Sequence, residues 1–213
     1  MTDDMTRSFD ALAANPRWHA FDAEERRKVD AFVCRWGIKP GDRVLEPGCG
    51  AGRLTEVLAA LTGPDGSVVA FDASPEFMRL AAQRRLPPQV TLHTARADVL
   101  VLAPASFDHI VCFNAFPHLT PLLGTTRRLV AALRPGGTFW IAHTCSQTSV
   151  NAVHREGRPV FHDHILPAPA ELTLLLRDAG LGETEIEDAA DHFLARAVRL
   201  APEAASGHPD RHV

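Results

Sequence analysis

The chain has 213 residues, 46% hydrophobic and 23% charged, which suits one soluble domain with an ample core. A formal net charge of −4 gives no global basic footprint for nucleic acid or anionic lipid. No apolar run reaches the roughly 18 residues of a membrane span, the start MTDDMTRSFD reads as neither signal nor transit peptide, and Cys34, Cys49, Cys112 and Cys145 form no CxxC pair. The expectation is a cytoplasmic protein with reduced thiols and no membrane or nucleic-acid partner. The absence of tyrosine excludes any mechanism that needs a phenol from the protein.

The first 16 positions are polar or small and carry no element prediction. Asp22 then opens a helix, with Glu25 at capping-box spacing and Val29, Phe32, Val33 and Trp36 forming an i, i+3, i+4, i+7 stripe that Gly37 closes. Arg43-Val44-Leu45 is a short strand. Leu54, Val57, Leu58 and Leu61 make the next helical stripe, and Gly63-Pro64-Asp65-Gly66 a turn. Val68 to Phe71 is a second strand. Ser74 and Pro75 start a helix through Arg85. Val90 to His93 and Phe107 to Phe113 are the third and fourth strands. A helix from Thr120-Pro121 to Leu133 is broken by Pro135-Gly136-Gly137, and Thr138 to His143 is the fifth strand. A helix over Glu171–Ala179 and two weaker strands, Thr184–Glu187 and Phe193–Leu200, complete the order. Apolar strands alternating with helices predict a parallel sheet covered on both faces. Such sheets bind ligands at the carboxyl ends of their strands.

The sharpest motif is Val44-Leu45-Glu46-Pro47-Gly48-Cys49-Gly50-Ala51-Gly52, running from a strand into a helix. Its glycines let the backbone turn tightly beside a ligand, and a helix amino end offers free N–H groups to an anion. Glu46, at the strand end, can hold a ligand cation. A dinucleotide site of the G-x-G-x-x-G kind needs Gly or Ala at position 53, where this chain has Arg53. The G-x-G-x-G spacing after an acid and a proline instead resembles the first motif of class I S-adenosylmethionine-dependent methyltransferases. Four further motifs agree in order: Asp72 at the end of the second strand, Ala97-Asp98-Val99 after the third, Phe107-Asp108-His109-Ile110-Val111 at the fourth, and Leu133-Arg134-Pro135-Gly136-Gly137 before the fifth. The resemblance runs from about Phe9 to Leu200.

It implies a three-layer Rossmann-like α/β fold, a seven-stranded mostly parallel sheet with an antiparallel last strand. It implies a flexible N-terminal lid segment at 1–20 and one methyltransferase domain at 21–201, while the polar and small composition of 202–213 predicts a disordered tail. The resemblance implies in-line transfer of the sulfonium methyl of S-adenosylmethionine to an acceptor, leaving S-adenosylhomocysteine; the lack of a basic stripe points to a small-molecule acceptor, and the expected assembly is a monomer or homodimer. Carried over by residue, Glu46, Gly48 and Gly50 hold the methionine part, with Cys49 a small neighbour and not a nucleophile. Asp72 binds the ribose, Ala73 and Met78 border ribose and adenine, and Ala97, Asp98 and Val99 contact the adenine. Asn114 lies beside the methyl donor, and Asp108 is structural.

Histidines gather after the fourth strand: His118, His143, His154, His162 and His164. His118 follows Asn114-Ala115-Phe116-Pro117, His143 ends the fifth strand, His154 lies in a short helix and His162-Asp163-His164 in a lid loop. His143, His154 and His118 are the candidate base or acceptor-binding residues, because imidazole can take a proton near neutral pH. Three alternatives remain open on sequence. The histidines can form a metal site with Cys145 or Asp163, although no metal is predicted. The chain can bind the cofactor without ordinary transfer. A nicotinamide-dependent oxidoreductase is disfavoured by Arg53 and by the lack of a hydride-site pair.

Overall fold

A computed structural model describes residues 3–201. The alternation read from the sequence is present as α1 (Asp3–Ala13), α2 (Ala23–Trp36), β1 (Arg43–Pro47), α3 (Arg53–Thr62), β2 (Ser67–Asp72), α4 (Pro75–Ala82), β3 (Val90–Thr94) and β4 (Phe107–Phe113). It continues as α5 (Leu122–Ala132), β5 (Leu133–His143), α6 (Gln147–Glu156), α7 (Pro169–Asp178), β6 (Leu181–Asp188) and β7 (Phe193–Arg199). Local chemistry sets several boundaries. Asp22 accepts the Glu25 amide at 2.8 Å while Glu25 reaches back to the Asp22 amide, so the capping box opens α2. Gly37 ends it in the left-handed conformation at φ 66°. Ser74 caps α4 through the Phe77 amide, with Pro75 in its first turn.

The seven strands form one sheet in the order β3-β2-β1-β4-β5-β7-β6. All neighbouring pairs are parallel except β5 with β7 and β7 with β6, so β7 alone runs against the rest. Strand alternation sends side chains to two cores. On one face Val44, Val68, Val111 and Trp140 pack with Phe32 and Trp36 of α2 and Leu54 and Leu58 of α3. On the other, Leu45, Ile110, Phe139, Ile141 and Phe193 pack with Leu129 of α5 and Leu172 and Leu176 of α7. The sheet is therefore the middle of three layers, as predicted.

Two segments differ from the sequence expectation. The opening stretch, left without an element, is helical as α1. Met5 and Ala13 of α1 are buried, and Phe9 and Leu12 pack on a small cluster formed with Ala51, Phe77 and Leu80. That spacing is an apolar helical stripe short enough to be hidden among polar neighbours. The Pro135-Gly136-Gly137 break lies inside β5: Leu133 pairs with Phe107, Thr138 pairs with His109, and the register shifts between them. The extra residues are taken up as a bulge, and Arg134 pairs with the Asp108 carboxylate at 2.5 Å. Asp108 also accepts the Arg43 amide at 2.7 Å. Its role is structural, as expected. Among the described residues, no helix is long and apolar enough to cross a membrane. The tail at 202–213 lies outside the described residues.

Candidate active site

β1 delivers its chain end into the glycine turn beside the end of β2. Gly48, Gly50 and Gly52 all have positive φ, at 73°, 53° and 75°. Gly48 combines this with a close approach: a Cβ there would lie 2.5 Å from the Ala115 Cβ. The Gly48 and Cys49 amides both donate to the Phe71 carbonyl, at 2.8 and 3.1 Å, which ties the turn to β2. Gly52 begins α3 without any side-chain cap hydrogen bond, so the first-turn amides of α3 lack the usual side-chain acceptor.

This turn forms one wall of a 430 Å³ cavity at the carboxyl ends of the strands. Glu46, Gly48, Cys49 and Gly50 line it from the first motif, and Asp72 and Ala73 from the end of β2. Ala97 and Asp98 line it after β3, and Asn114 after β4. Met78 does not: it is 5% exposed and packs behind Cys49, with the two sulfurs 3.7 Å apart. Val99 is not among the lining residues either, and it is 58% exposed.

Two carboxylates line the cavity, Asp72 half-buried and Glu46 buried. Asp72 accepts the Gly50 amide on one oxygen at 3.0 Å and the Ser74 amide on the other at 2.9 Å. Burial raises its pKa, opposed by those backbone amides. Glu46, 2% exposed, accepts a 2.6 Å hydrogen bond from the Thr55 hydroxyl. Burial pushes its carboxyl up to about 8. Asp98 is held below the usual carboxylate range by its paired Arg96 guanidinium. The Cys49 thiol is raised well above its ordinary value by burial and the nearby carboxylates, which keeps it a thiol at neutral pH and suits a packing role.

Asn114, at φ 50°, spans the tips of β4 and β5. Its side-chain Oδ1 accepts the Thr144 amide at 3.1 Å, and its Nδ2 donates to the Thr144 hydroxyl at 3.4 Å. The histidines separate into two groups. His118 and His154 line the cavity with ring centroids 4.7 Å apart. His154 donates from Nδ1 to the His164 carbonyl, and the Nδ1 atoms of His118 and His164 are 2.9 Å apart. Burial lowers the pKa of all three, His118 most strongly. His143 does not line the cavity. It is 3% exposed, shares a sheet face with Phe139 and Ile141, and packs edge-on to Phe193 at 6.2 Å. Burial lowers its pKa to about 3. Among the described residues, no group of three or more His, Cys, Asp or Glu side chains is arranged to hold a metal ion.

Several lining residues carry no motif signal. Phe9 and Leu12 reach the cavity from α1, Phe77 from α4 and Phe161 from the loop after α6. The Phe9 ring is 5.0 Å from both His118 and Phe161. Asp10 accepts the Ser74 hydroxyl at 2.5 Å, latching α1 to the cap of α4. Arg53, which the sequence offered only as an argument against a dinucleotide site, binds the Arg17 and Ala20 carbonyls at 3.3 and 3.1 Å and the Glu25 carboxylate at 3.0 Å. It thereby anchors the segment that follows α1. Phe9 and Leu12 fall within the lid segment expected at 1–20, and the apolar stripe of α1 is the signal that could have singled them out.

Residues 44–137 match the family model of a methyltransferase domain. The "Ubiquinone biosynthesis O-methyltransferase" of Xanthomonas campestris pv. campestris (strain B100) is 35% identical over 118 residues, 54% of this chain and 48% of that protein. The "Demethylmenaquinone methyltransferase" of Symbiobacterium thermophilum is 32% identical over 113 residues, 51% of this chain and 45% of that protein. The chain thus spans about half the length of these relatives. A SAM-dependent methyltransferase from Aquifex aeolicus superimposes with a TM-score of 0.69 and 21% identity, covering 92% of this chain and 98% of that one, a likeness of fold. The matched methyltransferase domain lies across the glycine turn and Asp72, so this part of the chain is similar to methyltransferase domains, and its fold as a whole is similar to that of the Aquifex protein.

Proposed function

We propose that the protein transfers a methyl group from S-adenosylmethionine to a small-molecule acceptor, leaving S-adenosylhomocysteine. The observation that carries this reading is the meeting, in one cavity, of the uncapped glycine turn and the half-buried Asp72. The residues fit the group. Each Asp72 oxygen already accepts one backbone amide and keeps a further lone pair, which suits a pair of ribose hydroxyls. The open amides at the start of α3 suit the carboxylate of the methionine part, and Glu46 suits its ammonium. Ala97 and Asp98 stand where the adenine is expected. When bound, S-adenosylmethionine supplies an electrophilic sulfonium methyl.

The chain's own contribution is to orient the partners, exclude water and take a proton. His154 lines the cavity with Nδ1 engaged, leaving Nε2 as the proton acceptor. The acceptor in this reading carries a dissociable proton, as a hydroxyl, thiol or ammonium does. His118 stands beside His154 and shapes the same wall, whereas His143 is assigned to the core. The names of the two relatives, both quinone-pathway methyltransferases by their words, support a small organic acceptor. The net charge of −4 supports the absence of a nucleic-acid partner. We place the reaction in the cytoplasm and the protein as a monomer or homodimer. We assign 1–20, with Phe9 and Leu12 over the cavity, to a closing lid and 21–201 to the catalytic unit.

Calorimetric titration with S-adenosylhomocysteine tests the proposal. Micromolar binding is expected for wild type, weakened tenfold or more (about 1.4 kcal/mol) by Asp72→Ala. A wild-type protein that shows no binding, with or without added divalent metal, would overturn it.

A further inference from the structure

The loop between α6 and α7 holds a histidine that does not line the cavity yet touches both histidines that do. His164 is 5% exposed. Its carbonyl accepts the Nδ1–H of His154, and its own Nδ1 lies 2.9 Å from Nδ1 of His118. The loop is clamped to α6. The Asn151 side-chain Oδ1 accepts the Leu166 amide at 2.8 Å, and its Nδ2 donates to the Leu166 carbonyl at 3.0 Å. Gln147 donates to the same carbonyl at 2.9 Å. Phe161 packs against the His164 ring at 5.9 Å and against the His118 ring at 5.3 Å.

These contacts dictate where protons sit. A carbonyl can only accept, so the His154 ring nitrogen facing it carries hydrogen. In a neutral imidazole the other nitrogen, Nε2, then holds a lone pair. Two Nδ1 atoms at hydrogen-bond distance need one hydrogen between them, so His118 and His164 adopt opposite tautomers. Burial disfavours charge on all three rings and keeps them neutral.

We propose that His164 is the positioning residue of the site: its carbonyl fixes His154 with Nε2 as the basic nitrogen, and its ring fixes the tautomer of His118. The inference rests on the transferase reading for its purpose, but its test does not use the cofactor. Long-range 1H–15N correlation spectra of the full labelled chain at neutral pH report which nitrogen of each ring is protonated. Wild type is expected to show Nδ1–H with unprotonated Nε2 at His154, and opposite tautomers at His118 and His164. In His164→Ala the backbone carbonyl remains, so His154 keeps its signature while His118 averages between tautomers. His164→Asn, whose amide can donate or accept near the Nδ1 position, restores a single His118 tautomer. Asn151→Asp removes the donor to Leu166 and is expected to shift His154 toward a mixture. Nε2–H at His154 in wild type, like tautomers at His118 and His164, or an unchanged His118 signature in His164→Ala would each overturn the proposal. Calorimetry with S-adenosylhomocysteine on the same His164→Ala sample separates the two readings: retained binding with unchanged histidine signatures sinks only the positioning role.

Discussion

Glu46 is the residue whose chemistry departs most from its sequence reading. The strand end places its carboxyl beneath the cavity, and burial raises it from the ordinary 4.5 to about 8. Between those values the folded protein holds a proton that the unfolded chain has released. The sign follows from linkage: stability from this group is complete below about pH 4.5 and is lost as pH rises through 8. Glu46→Gln keeps an acceptor for the Thr55 hydroxyl and removes the titration. The variant is therefore expected to gain stability relative to wild type as pH rises from 5 to 8. Urea midpoints at the two pH values check this, and an unchanged difference would count against a raised Glu46. A ligand ammonium beside Glu46 would favour the ionised form, so cofactor binding near neutral pH is expected to release a proton.

At the scale of elements, the glycine turn and the β5 bulge illustrate how similar sequence signals acquire different structural meanings. Gly48 and Gly136 both have left-handed φ, at 73° and 75°. A Cβ at Gly48 meets the Ala115 Cβ at 2.5 Å, whereas nothing lies within 4 Å of one at Gly136. Gly48→Ala therefore adds steric conflict to backbone strain and is expected to cost at least about 2 kcal/mol, while Gly136→Ala pays only the strain of about 1–2 kcal/mol. Urea denaturation of both variants measures the gap. Equal losses would mean that the turn gives way at Ala115. The same close packing explains why the turn holds its shape beside a cavity. It is pinned by the Phe71 carbonyl on one side and by Ala115 on the other.

Across the whole molecule, the sheet is a doubly covered core and α1 is a thin addition to its ligand end. Strands β4 and β5 lie centrally between buried faces, while α1 rests on a small cluster and a few polar latches such as Asp10 to Ser74. Local opening follows the amount of apolar burial. The amides of α1 are expected to exchange with deuterium well before those of β4 and β5, and S-adenosylhomocysteine is expected to slow them. Protection of α1 equal to that of β4 without ligand would argue against a closing lid.

The strand runs, the capping box at Asp22 and Glu25, the glycine turn and Asp72 were all legible along the chain. Each is a local matter of periodicity, cap chemistry or positive φ, and each needs only near neighbours. The sheet class followed, because apolar strands alternating with helices have few ways to bury both faces. What the chain alone left open depended on contacts between distant segments. The bulge in β5 required its pairing with β4. The docking of α1 joins residues 64 positions apart at Asp10 and Ser74. Met78 was expected beside the cofactor and His143 and His154 as alternative bases, yet helix and strand geometry turned Met78 behind Cys49 and His143 into the core. It left His154 at the cavity, tied to His164. The cofactor turn was thus written locally. The choice among histidines was made only when the loop after α6 folded back onto the turn that follows β4, bringing His164 to His118 across 46 positions.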